Sequence, residues 1–68
     1  MFKNNLRHYR KLKKITQKEL AEKANVTSDY IYMIEKGTRN PGIFLAKRIS
    51  DILGKSMEEI FFNNKKNN

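Results

Sequence analysis

The stretch 17–36 constrains the fold of this chain more than any other, because signals that begin and end helices follow one another closely there. Thr16 opens a T-x-x-E capping box, which predicts that a helix begins just after it. Asn25 tolerates the left-handed backbone that ends a helix, and Thr27 is a natural N-cap for a second helix that stops at Gly37. Two short helices joined by so brief a turn must cross at a sharp angle, which is the helix-turn-helix geometry.

The other segments also favour helices, since β-branched alternation is absent and the chain has a single proline. We expect helix 1 over about Asn4–Lys13 and helix 4 over about Ile43–Leu53. A second capping box, at Ser56, predicts a short helix 5 that runs through Phe61. The predicted fold class is therefore all-α, a compact five-helix bundle with the helix-turn-helix at helices 2 and 3.

The length of 68 residues and the composition limit the organisation of the chain. We expect residues 1–62 to form one small domain and residues 63–68, which are only Asn and Lys, to be a disordered polar tail. Because there is no cysteine, neither a disulfide nor a thiolate metal site can form. No apolar run approaches the roughly 18 residues that a membrane span needs, and no apolar segment typical of a signal peptide follows the basic start. We interpret the protein as cytoplasmic.

The residue types that catalysis requires are not grouped in this sequence. His8 is the only histidine, and neither a nucleophile nor a carboxylate partner lies within sequence reach of it. There is also no Gly-rich phosphate loop and no spacing of metal ligands. We therefore expect no enzyme activity, no cofactor, no metal and no small-molecule ligand.

The charge balance points to a polyanionic partner. Fifteen Lys and Arg stand against seven Asp and Glu, for a net charge of +8. Such an excess favours nucleic acid first and an anionic membrane second, while simple solubility is the plain alternative. A membrane surface is disfavoured, because helix 1 is basic but lacks a wide apolar face.

The outer face of helix 3 holds the candidates for reading bases. If Ile31 and Ile34 point inward, the rotation of about 100° per residue turns Asp29, Tyr32 and Met33 outward. An acceptor such as Asp29 suits a cytosine amino group, and Met33 suits a thymine methyl. The alternative interpretation is that Asp29 only offsets the helix dipole and that Tyr32 and Met33 contact another protein. The base-reading candidates are Thr27, Ser28, Asp29, Tyr32 and Met33.

The candidates for phosphate contacts flank that face. The start of helix 2 presents a hydroxyl, an amide and free backbone N–H groups, and the loop after helix 3 is polar and basic. Arg39 is the strongest candidate in this loop, since its guanidinium can donate two parallel hydrogen bonds to a phosphate. Lys14 and Lys18 lie near the same edge, where a solvated surface is the plain alternative. The phosphate candidates are Thr16, Gln17, Lys36, Thr38, Arg39 and Asn40.

The spacing of small, apolar and polar residues through the bihelical segment resembles the Xre family, the Cro and lambda-repressor type of helix-turn-helix regulator. The match extends over about Leu6–Phe61. Three features depart from the family pattern. Asn25 replaces a common glycine, and Gly42 replaces a common serine cap. The recognition helix has Ser28, Asp29 and Met33 where phage repressors often have glutamines. The residues that carry the resemblance are Leu6, Arg10, Thr16, Gln17, Leu20, Ala21, Ala24, Val26, Ile31, Ile34, Glu35, Gly37, Pro41, Ala46, Ile49, Leu53, Gly54 and Ile60.

The resemblance implies a lambda-repressor-like fold that binds operator DNA, usually as a homodimer. It also implies phosphate contacts from Gln17 and from the loop after helix 3. Ser28, Asp29 and Met33 would then face the bases. It further implies that Arg10 and Glu35 form a structural ion pair between helices 1 and 3.

The leading hypothesis is a sequence-specific regulator that reads double-stranded DNA in the major groove, as a homodimer that represses by occlusion at a palindromic operator. The two half-sites would lie about 34 Å apart. Phe44, Phe61 and Phe62 are too many aromatics for one small core, so we expect them to form the dimer interface. The alternatives are that Phe61 completes the core and, for function, that the chain is a protein-interaction module such as an antitoxin or accessory regulator.

Overall fold

The computed structural model of the chain describes residues 3–62, and in that part the fold is all-α. The predicted tail 63–68 and the outer limit of the predicted domain lie outside the described residues, so both stay predictions. The helices are α1 (Leu6–Leu12), α2 (Gln17–Ala24), α3 (Ser28–Lys36), α4 (Ile43–Leu53) and α5 (Glu58–Phe62).

The ends of α2 and α3 follow the local signals in the sequence. The Thr16 hydroxyl accepts from the Glu19 N–H, and the Glu19 carboxylate accepts from the Thr16 N–H, so the capping box is complete. Asn25 has φ 63° and Gly37 has φ 90°, so both helices end in a left-handed residue. The predictions for α2, for α3 and for the turn between them are confirmed.

The first and last helices differ from the expected ones. Helix α1 begins two residues later than predicted, because the Asn4 side chain accepts the Leu6 N–H and turns the chain there. The last turn, α5, is wound as a π-helix that starts at Glu58. Its capping box joins Ser56 and Glu59 as expected.

The core lies where α2, α3 and α4 meet, and α1 and α5 close it. Small residues let the helices approach, since Ala21 and Ala24 on α2 are both buried. Burying each large aliphatic side chain contributes roughly 1.5–3 kcal/mol, so these few residues carry most of the stability of the domain. The fully buried large side chains are Leu6, Leu20, Ile31, Ile34, Ile49 and Ile60.

The prediction that Phe61 belongs to a dimer interface is wrong. It is only 2% exposed and packs into the core, so it is not available to a second copy. Two adjacent phenylalanines on one turn cannot both face inward, and Phe62 faces outward instead. Within residues 3–62, no helix is long and apolar enough to cross a membrane.

Candidate nucleic-acid interface

Helix α3 is anchored by its inner face and presents its outer face to solvent. Ile31 and Ile34 are fully buried, which turns Ser28, Asp29 and Tyr32 outward as exposed side chains. The outer face therefore carries a hydroxyl, a carboxylate and a phenol, which are groups that can pair with the edges of bases.

Two of the base-reading candidates differ from expectation. Met33 is half-buried rather than exposed. Thr27 is exposed, but its hydroxyl oxygen accepts the Tyr30 N–H at 3.1 Å as the helix cap. Thr27 therefore has its O–H left to donate, and its main task is to start the helix.

The loop after α3 is fixed against the helix that it follows. Both the N–H and the hydroxyl of Thr38 donate to the Met33 carbonyl, at 3.0 and 3.2 Å. The Arg39 guanidinium lies 5.2 Å from the centre of the Tyr30 ring, a cation–π contact. Asn40 is exposed beside them. The predicted phosphate candidates of this loop thus lie together at the C-terminal end of α3.

A buried polar network joins α1, α2 and α3. The Arg10 Nε donates to Glu35 Oε2 at 2.6 Å, and its Nη1 donates to the Ile15 carbonyl at 2.8 Å. The Gln17 Nε2 donates to Glu35 Oε1 at 2.9 Å. Arg10 and Glu35 are thus the structural pair that the resemblance implied, and Glu35 also holds the amide of Gln17.

Gln17 is a third partner that the sequence did not reveal, because its bond to Glu35 depends on how three helices pack. Its amide has two N–H bonds, and Glu35 takes one of them. The other is free to donate to a phosphate from the start of α2, where the helix dipole is positive.

An open depression separates α3 from α1 and continues to the start of α2. On the α3 side it is lined by Ser28, Tyr32 and Lys36, which share one stripe of the helix. The Lys36 ammonium lies 5.6 Å from the centre of the Tyr32 ring. On the opposite side, Arg7 and Lys11 were not candidates, although their four-residue spacing on α1 was a signal for them.

A different surface lies at the beginning of α4. Ile43, Phe44 and Phe62 are exposed there, Phe44 to 85%. Ile43 and Phe62 line a small hollow with Pro41. Among residues 3–62, no group of three or more His, Asp or Glu side chains lies close enough to hold a metal ion.

The family model for the helix-turn-helix matches residues 6–60, which span α1 to the middle of α5. The chain belongs to the Xre-type helix-turn-helix family. Its function is accordingly that of a DNA-binding regulator of transcription, as the family resemblance in the sequence predicted.

Curated relatives carry the same description. An uncharacterised HTH-type transcriptional regulator of Methanocaldococcus jannaschii is 42% identical over 59 residues, which cover 87% of this chain and 89% of that protein. A second one, from Methanothermobacter thermautotrophicus, is 44% identical over 57 residues, or 82% of this chain and 83% of that protein. A third, from Bacillus subtilis, is 39% identical over 54 residues, or 79% of this chain and 71% of that protein. These regulators are similar to the chain over nearly all of the helical domain.

Proposed function

We propose that this helix-turn-helix regulator is a cytoplasmic protein that binds a palindromic operator as a homodimer and represses transcription by occluding the promoter. The observation that carries the proposal is the outer face of α3, which is exposed and polar between two flanks of donors and cations. One flank is the start of α2, and the other is the loop that Arg39 and Thr38 fix against α3. Such a face, bounded by phosphate donors, suits a major groove.

In this proposal Ser28, Asp29 and Tyr32 read base edges from the first two turns of α3. Asp29 accepts from a cytosine amino group, and the Ser28 hydroxyl donates or accepts according to the base. Met33 contributes the part of its side chain that stays exposed, which suits a thymine methyl. Thr27 reaches DNA only through its O–H, because its oxygen caps the helix.

The phosphate contacts come from both flanks of the reading face. Gln17 donates the N–H that Glu35 leaves free, and Thr16 adds backbone and hydroxyl groups at the positive end of α2. At the other flank Arg39 offers a bidentate fork, which suits a phosphate better than a single ammonium does. The remaining members of the phosphate set are Lys36, Thr38 and Asn40.

Selection of bound sequences from a random duplex pool tests this function. We expect an enriched palindrome with half-sites about 34 Å apart, one helical turn. Asp29→Ala should then change the preferred base at one position of each half-site, at a discrimination of roughly 1–3 kcal/mol, while Glu22→Ala on the outside of α2 should leave the preference intact. Affinity that does not depend on sequence contradicts the proposal.

The dimer is supported by the exposed apolar surface of Ile43, Phe44 and Phe62. Exposed apolar side chains that lie together favour association more than scattered ones do, and Ile43 and Phe62 line the same hollow. We expect sedimentation at micromolar concentration to show a dimer, and Phe44→Ser to make it a monomer. Leu12→Ser removes another exposed apolar side chain, on α1, and should leave the dimer intact. A wild-type protein that is only monomeric, with and without operator DNA, contradicts this part.

A protein-interaction module is the second candidate, and the same exposed aromatics favour it. The dependence of binding on salt separates the two functions. Affinity for DNA falls with a slope of about −0.9 per phosphate contact in a log–log plot, whereas a protein partner held by apolar contacts shows little slope.

A further inference from the structure

Helix α1 carries a row of cations that faces the reading helix across the depression. Arg7 and Lys11 are four residues apart, so their side chains lie on one face of α1. Lys14 follows the helix with a left-handed backbone, φ 62°, and Lys18 lies in the first turn of α2. We call these four residues the basic strip.

No anion of the described residues neutralises the basic strip. All four side chains are exposed, and none of them forms a salt bridge with a carboxylate within residues 3–62. Glu35 is the carboxylate that lines the depression, and the Arg10 guanidinium already pairs with it at 2.6 Å. The strip and Lys36 therefore leave a concave surface with five uncompensated positive charges, which repel one another until an anion binds.

The same depression is lined by Ser28, Tyr32 and Lys36, so it borders the face that enters the groove. If α3 lies in the major groove, the open depression between α3 and α1 gives a path for a strand that bounds this groove. The strip would then lie along the sugar-phosphate backbone of that strand, where cations on two elements can contact successive phosphates.

We propose that the basic strip is a second phosphate-binding surface, which holds the backbone of one DNA strand between α1 and α3. It adds to the contacts from the start of α2 and from the loop after α3, and it rests on the proposed function in that α3 occupies the major groove. Phosphate contacts carry no sequence information, so the strip raises affinity for every duplex alike.

The other side of α1 supplies a matched control. Lys13 faces away from the depression and lines a separate cleft with Lys23, Ile15 and Ile52. Arg7→Gln/Lys11→Gln and Lys13→Gln/Lys23→Gln therefore remove the same charge from two different surfaces. The charge-preserving variant Arg7→Lys/Lys11→Arg completes the set.

The experiment measures affinity by fluorescence anisotropy between 50 and 200 mM salt, roughly the range over which phosphate contacts dominate. Two duplexes of equal length are used, the selected operator and a scrambled sequence. For Arg7→Gln/Lys11→Gln we expect the slope of log affinity against log salt to become shallower by about 1.8, since each phosphate contact contributes about 0.9. The change should be the same on both duplexes. The Lys13/Lys23 control should change the slope by less than half of that, and the charge-preserving variant should keep it.

Equal slopes for the two neutralising variants overturn the inference, because only the net charge would then matter, while the proposed function would stand. If the wild-type protein binds both duplexes equally, the proposed function is contradicted. The role of the strip is still decided by whether the two neutralising variants differ in their salt slopes. A wild-type protein that binds neither duplex overturns both. Melting curves from circular dichroism confirm that the variants are folded, as expected for exposed side chains away from the core.

Discussion

The α2–α3 unit (residues 16–37) and the α4–α5 end (residues 42–62) are held in different ways. In the first, a threonine side chain caps each helix start, and a left-handed residue ends each helix. In the second, α5 starts from the Ser56–Glu59 capping box and is wound as a π-helix, but Gly42 starts α4 without any side-chain cap. The first unit is fixed by local hydrogen bonds, whereas the second depends more on the packing of Ile49, Ile60 and Phe61.

The two regions also differ in the chemistry of their exposed side chains. The α2–α3 unit presents polar and cationic groups around Glu35, whose buried carboxylate pairs with Arg10 of α1. The α4–α5 end exposes Ile43, Phe44 and Phe62. A surface that reads bases must hold its groups in one geometry before the partner arrives, because ordering them later costs affinity. An apolar surface needs no such network. The contrast supports one region for DNA and the other for a protein, in our proposal a second copy.

The largest effect is expected from breaking the buried pair behind the reading face. Glu35→Ala leaves the Arg10 charge buried without its partner, which costs about 3–5 kcal/mol. A domain of this size has a free energy of unfolding of only about 5 kcal/mol, so the variant should keep at most about 2 kcal/mol of stability at 25 °C. Urea titration followed by circular dichroism measures this.

The matched control is the ion pair of α4. Lys47 and Asp51 are 2.7 Å apart but well exposed, so Asp51→Ala should cost less than about 1 kcal/mol. Similar losses for Glu35→Ala and Asp51→Ala would contradict the view that the reading region is fixed by buried charges.

A smaller effect is expected from the cap of α3. Thr27→Ala removes the acceptor of the Tyr30 N–H and should cost about 1 kcal/mol, measured as a lower urea midpoint. Ser28→Ala, one residue further, removes an exposed hydroxyl and should stay within about 0.5 kcal/mol of wild type while changing the preferred DNA sequence. Ser28→Ala as destabilising as Thr27→Ala would show that the cap has been assigned to the wrong residue.

The sequence allowed the α2–α3 unit to be predicted well, because each of its signals acts within a few residues. The caps at Thr16 and Thr27 and the helix ends at Asn25 and Gly37 all depend on short-range hydrogen bonds or on one backbone angle. The Arg10–Glu35 pair came from the family resemblance and not from spacing, since its members are 25 residues apart.

The features that sequence reasoning missed depend on packing between distant segments. Phe61 and Phe62 are identical neighbours, and only the winding of α5 decides which of them enters the core. Met33 is half-buried, although the helical rotation from Ile31 and Ile34 predicted that it would be exposed. The roles of the base and phosphate candidates stay predictions, since they concern a bound partner.

A gain of stability is expected where the α4–α5 end lacks a cap. Gly42 has φ −68°, which any residue can adopt, and no atom lies within 4 Å of the position of an added Cβ. Gly42→Ser should therefore supply a side-chain acceptor to the start of α4 and stabilise the protein by a few tenths of a kcal/mol. Gly42→Ala adds the same Cβ without the oxygen and is the control. No difference between the two variants would mean that a cap adds nothing at this end.

The smallest effect is a dependence on pH at the last turn. The Ser56 N–H donates to the Glu59 carboxylate, and this bond, with help from the Ser56 hydroxyl and the charge of Lys55, lowers the pKa of Glu59. A carboxyl whose pKa is lower in the folded state stabilises the fold above its unfolded pKa, about 4.3, and loses that contribution as the pH falls through the folded value. Glu59→Gln should therefore melt slightly below wild type at pH 7, and the difference should vanish near pH 3. Glu58→Gln removes a neighbouring charge that is not bonded to Ser56 and serves as the control for net charge. A difference between wild type and Glu59→Gln that stays constant from pH 7 to 3 would assign the effect to the amide and not to the charge of Glu59.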